Sequence, residues 1–140
     1  MSEYNFLEDI EEGIKASDQA EQNVNEITGL ITALEGSIKT KYNLELKKRN
    51  AVDLNNIINS FNSFNSLSKT TNPETIFSLS SDSSSLDIMS IKLEDKGYPV
   101  KLSYDGQNYF CENLTALQRA ISNLLKTAYF GKKIKKLTSD

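Results

Sequence analysis

The sequence predicts an α+β fold: a long amphipathic N-terminal helix and a second helix, then a small antiparallel β-meander packed by a C-terminal helix. Three observations carry that expectation. Apolar residues keep a heptad register from Phe6 to Ile38, short alternating segments fill residues 75 to 111, and an Asp105-Gly106 turn precedes an Asn-capped apolar stripe.

Placing Ile10, Ser17, Val24, Ile31 and Ile38 at heptad position a puts Phe6, Gly13, Ala20, Ile27 and Leu34 at position d. This 3,4 spacing keeps one stripe of a helix turned toward a partner. Leu7, Ile14 and Leu30 widen the stripe. Ser2, Glu3 and an acidic first turn suit a helix start, because carboxylates complement the positive end of the helix dipole. A helix over residues 3 to 39 therefore either covers its own domain or enters a hairpin or intermolecular coiled coil. In the second case Phe6, Ile10, Gly13, Ser17, Ala20, Val24, Ile27 and Ile31 form the oligomer interface.

Carried past Ile38, the same register would bring Lys41, Glu45 and Lys48 onto the seam, so the seam ends there. A new apolar face, in a different phase, begins with Ala51, Leu54, Ile57, Ile58, Phe61 and Phe64. The pattern predicts a break over residues 40 to 45 and a second helix over residues 46 to 67, folded back antiparallel on the first. No Gly or Pro marks the break, so one long bent helix is the alternative. Residues 1–67 are thus a helical hairpin or coiled-coil oligomerisation region, residues 68–74 a linker containing Asn72-Pro73, and residues 75–140 a sheet with its helix.

Thr75 to Leu79 and Leu86 to Leu93 read as strands on either side of a serine-rich loop. Met89, Ile91 and Leu93 alternate with Ser90, Lys92 and Glu94, while Leu86 and Ile88 have the opposite parity. A bulge near Ile88 reconciles the two. Pro99 to Tyr104 and Gln107 to Cys111 flank Asp105-Gly106, a dipeptide that suits the positive φ of a type I′ turn. A two-residue loop pairs Tyr104 with Gln107, Leu102 with Tyr109 and Val100 with Cys111, which makes Cys111 a core residue rather than a reactive thiol. Asn113 caps a helix from Leu114 to about Phe130, stopped by Gly131. Val100, Leu102, Tyr109, Leu117, Ile121 and Leu124 are expected to share one core.

The chain has no histidine, and Cys111 is its one cysteine. Without His, neither the Ser-His-Asp and Cys-His arrangements that activate a nucleophile nor a Cys/His zinc site can be built. Nucleotide-binding glycine motifs, EF-hand loops and CxxC pairs are absent from the sequence. These counts point away from an enzyme and toward no cofactor and no metal. The acidic cluster Glu8, Asp9, Glu11 and Glu12 lacks the loop geometry that gathers oxygen ligands. The acidic start is unlike a signal peptide, no apolar run reaches a membrane span, and one cysteine suits a reducing compartment, so a cytoplasmic location is expected.

Net charge is −3, unevenly distributed: residues 1 to 40 carry −7 and residues 113 to 140 carry +5. Lys126, Lys132, Lys133, Lys135 and Lys136 are candidate partner-binding residues; with Ile134 and Leu137 between them, a resumed helix would have one cationic and one apolar side. The favoured function is a non-catalytic interaction protein, an adaptor or an inhibitor of another protein of the kind mobile elements encode, self-associating through its first helix. The alternative is a small nucleic-acid-associated regulator that uses the lysines on phosphates. The overall acidity favours the first.

Overall fold

The computed structural model describes residues 5–51 and 74–139. Helix α1 spans Phe6–Tyr42. Asn5 caps it, its side-chain oxygen accepting the Glu8 N–H at 3.2 Å; Ser2 and Glu3 lie outside the described residues. The helix stops at Asn43, which adopts a left-handed conformation (φ 57°, ψ 35°) and donates its N–H to the Lys39 carbonyl at 2.9 Å. Asparagine thus takes the place that glycine usually fills at a helix C-terminus, which is why the stop carries neither Gly nor Pro.

The second helix does not begin at residue 46. Glu45–Asn50 is strand β1, paired antiparallel along its whole length with β2, Thr75–Ser80. Leu44 and Leu46 are buried while Glu45 and Lys47 are exposed, so the period here is two, not 3.6. The remainder of the expected helix, and residues 68–73 of the expected linker, lie outside the described residues.

Strands β3 (Ser85–Glu94), β4 (Gly97–Tyr104) and β5 (Gln107–Cys111) complete a five-stranded antiparallel sheet in the order β1-β2-β3-β4-β5. The expected bulge is present: Phe77 pairs with Met89 and Ser78 with Asp87, so Ile88 is the extra residue. Ile88 and Met89 are consequently both buried. The β4–β5 hairpin has the expected register, with Asp105 at φ 51° and Gly106 at φ 76°. Strand parity places Leu46, Phe77, Leu79, Ile91, Val100, Leu102 and Cys111 on one face, and all are buried. The opposite face carries Lys47, Arg49, Asp87, Lys101, Asn108 and Phe110.

Helix α2 spans Leu114–Leu125, with the Asn113 side chain accepting the Ala116 N–H at 2.8 Å. The expected run to Phe130 breaks earlier, at Lys126-Thr127. Thr127 accepts the Phe130 N–H at 3.1 Å and so caps a separate helix α3, Ala128–Thr138, and Gly131 lies inside that helix rather than ending one. The break lets Phe130, Ile134 and Leu137 turn back into the core beside Leu117, Ile121 and Leu124. Tyr109 departs from its expected burial at 39% exposure. It has the inward parity but sits on the edge strand, where stacking on Tyr104, 5.2 Å between ring centroids, covers one side of the ring.

Candidate interaction surface

The C-terminal half of α1 belongs to the core: Ile27, Leu34 and Ile38 are buried against the sheet. Its first half does not. Residues 5–19 are all exposed, including Phe6 at 66%, Leu7 at 69%, Ile10 at 59% and Ile14 at 57%. Residues 6–22 therefore form a helix of about 25 Å projecting from the sheet, with large apolar side chains exposed along it.

The heptad stripe is divided between two surroundings. Phe6, Ile10, Gly13 and Ser17 are exposed, Ala20, Val24 and Ile31 half-buried, and Ile27 buried in the chain's own core. On the projecting half most carboxylates stand away from the stripe. Glu8, Glu11, Glu12 and Asp18 fall at outer heptad positions, and Asp9 and Glu21 flank the seam.

Asn23 marks where the helix leaves the domain. Its amide donates to the Lys96 carbonyl at 2.8 Å and accepts from Gln19 at 2.9 Å. The β3–β4 turn reaches the helix so closely that a Cβ on Gly97 would lie 2.8 Å from the Asn23 Cβ. Sequence reasoning missed this junction: Gly97 signals a turn, but nothing local says that the turn touches residue 23. Below it, a cleft of about 520 Å³ opens between α1 and the sheet, with Val24, Thr28, Ile31 and Glu35 on one wall and Leu46, Phe77, Ile91 and Leu93 on the other.

The lysines lie apart from this surface, on and beside α3. Lys132, Lys133 and Lys136 border a shallow depression with Leu86, Asp105 and Tyr129, and the Lys133 ammonium stands 4.4 Å over the Tyr129 ring. Lys126, at the end of α2, and Lys135 are exposed.

Two further groups have defined electrostatics. Arg49 makes a bidentate contact with Asp87 at 2.8 and 2.9 Å, and Ser78 donates to the same carboxylate at 2.6 Å. These hydrogen bonds, Arg49 first, pull Asp87 down to about 2. Burial pushes the Cys111 thiol up. Among the described residues, no three His, Cys, Asp or Glu side chains gather as metal ligands, and no helix is long and apolar enough to cross a membrane. No family model, curated protein or solved structure matches the chain.

Proposed function

We propose that the protein is a non-catalytic interaction module that self-associates through the first half of α1 and presents its sheet and C-terminal helices to another protein. The observation that carries this reading is the exposure of Phe6, Leu7, Ile10 and Ile14 together on one projecting helix. A contiguous apolar patch rimmed by charge marks an interaction site more often than it marks idle surface. The outer placement of Glu8, Glu11, Glu12 and Asp18 keeps the stripe itself apolar. The bulky surface residues lie on a helix whose isolated form would be marginal in water, so a partner helix also stabilises the helix itself.

Light scattering on the full chain tests this. The mass should exceed 15.7 kDa at tens of micromolar and approach twice that value or more as concentration increases. Ile10→Glu and Ile14→Glu should each hold the chain at the monomer mass without unfolding the domain, because neither side chain packs in the core. A wild-type chain that is a 15.7 kDa particle at tens of micromolar overturns the reading.

A further inference from the structure

We infer that β5, one of the two edges of the sheet, accepts an extended acidic segment of another protein as a sixth strand. The inference takes from the proposed function only the presentation of the sheet to a protein partner; self-association through α1 plays no part in it.

A sheet edge displays a row of unpaired N–H and C=O groups, and proteins commonly blunt such edges with charge. The two edges here differ. β1 carries Glu45, Lys47, Lys48 and Arg49, whereas β5, Gln107–Cys111, has no charge, no proline and no glycine. Gln107, Asn108, Tyr109 and Phe110 are all exposed, Phe110 at 69%. The hairpin register sets which backbone groups are free. A two-residue turn makes Tyr104 and Gln107 the hydrogen-bonded pair beside it, and bonded and non-bonded pairs alternate along an antiparallel ladder. Leu102–Tyr109 and Val100–Cys111 are then bonded as well, so Asn108 and Phe110 turn their N–H and C=O groups away from β4. Among the described residues, neither makes a backbone bond beyond the sheet.

An extended peptide supplies donors and acceptors at the strand repeat, as this edge requires. A phosphodiester backbone offers acceptors only, so it leaves the Asn108 and Phe110 carbonyls unpaired. The charge of the segment follows from the strands next to the edge. On the open face Lys101 stands directly opposite Phe110, and Lys92 directly opposite Lys101. Like charges so placed destabilise a strand pair, and among the described residues neither lysine makes an ion pair. Both are half-buried, and Glu74, on the far side of Lys92, accepts a hydrogen bond from Ser90 instead. Asp105 and Glu112 lie beyond the two ends of β5, so the strand itself is bordered by lysine rather than by acid. A residue added opposite Phe110 is about 10 Å from Lys101, two strand spacings, a gap that a glutamate and a lysine side chain close together over the Phe110 ring. A second copy's β5 brings no carboxylate to that place.

Titration of the isotope-labelled full-length chain with synthetic peptides, followed by amide nuclear magnetic resonance, tests this. The probe is the capped peptide Val-Glu-Val-Glu-Val-Glu, and Val-Lys-Val-Lys-Val-Lys is its control. The acidic peptide should shift the Asn108 and Phe110 amide signals, slow their exchange several-fold and bind several-fold more tightly than the basic one. Asn108→Pro removes an outward N–H and keeps the bonded pairs of the hairpin, so it should abolish the shift at Phe110. Lys101→Glu leaves every backbone group in place and should reverse the preference between the peptides; if Asn108→Pro unfolds the hairpin, this reversal alone decides. No shift at β5 with either peptide, equal affinity for both, or shifts confined to β1 overturns the inference. Slowing of the same two amides by protein concentration alone also overturns it, in favour of a second copy, and shifts from oligothymidylate without shifts from peptide overturn it in favour of a nucleic acid. Light scattering tests self-association separately, so either reading can fail without the other.

Discussion

Gly97 is where the β3–β4 turn approaches α1 most tightly among the glycines, and its replacement by alanine separates two energies. It is buried at the start of β4, at φ +91°, where an L side chain is strained. Adopting that region costs about 1–2 kcal/mol for a residue with a Cβ. The new Cβ would also meet the Asn23 Cβ at 2.8 Å, with Asn23 C and Val24 N at 3.5 Å. None of these atoms is the free end of a flexible side chain, so helix or turn must shift, and overpacking of this kind costs about 1–3 kcal/mol. Gly97→Ala should therefore lose about 2–5 kcal/mol in all. Gly106, at φ +76° in the β4–β5 turn, supplies the control because its added Cβ meets nothing within 4 Å. Gly106→Ala should lose only the backbone part, about 1–2 kcal/mol. Urea denaturation followed by circular dichroism measures both. Equal losses would refute the argument, since the two sites differ chiefly in the contact with α1.

Leu102→Ala, in the fully buried centre of the sheet, should cost about 2–5 kcal/mol by transfer and cavity terms, whereas Phe110→Ala on the open face should stay near zero in the same melts. Asp87 makes stability depend on acid. Its folded pKa, about 2, lies below the usual 3.8, so its contribution is complete above about pH 4 and disappears as pH falls through 2. With the side chain more than half exposed, that loss should be on the order of 1 kcal/mol, and Asp87→Asn should make the fall in stability between pH 4 and 2 shallower by that amount in acid titrations.

Where neighbouring residues supply their own partners, the chain could be read in advance. The Asp105-Gly106 turn sets the β4–β5 register because two residues with positive φ admit only one pairing of the flanking strands. The parity change between Ile88 and Met89 requires an extra residue, and the bulge lies there. The heptad stripe of α1 was equally legible, because helical periodicity is a property of the segment alone.

What covers each half of that stripe was not legible. Ile27, Leu34 and Ile38 belong to the same heptad seam as Phe6, Ile10 and Gly13, yet the first three are buried against the sheet and the last three are exposed. The division falls at Asn23 because Lys96 and Gly97, more than seventy residues away in sequence, meet the helix there. β1 escaped for a related reason. Its residues Lys47, Lys48 and Arg49 have little intrinsic strand preference, and the segment becomes a strand because β2 offers a ladder of backbone partners. The helix break at Thr127 follows the same rule: the local pattern permits a continuous helix, and the gain from burying Phe130, Ile134 and Leu137 against the sheet selects the broken one. Periodicity and turn chemistry act over a few residues and leave their mark on the sequence; the choice of what an apolar face meets depends on long-range packing.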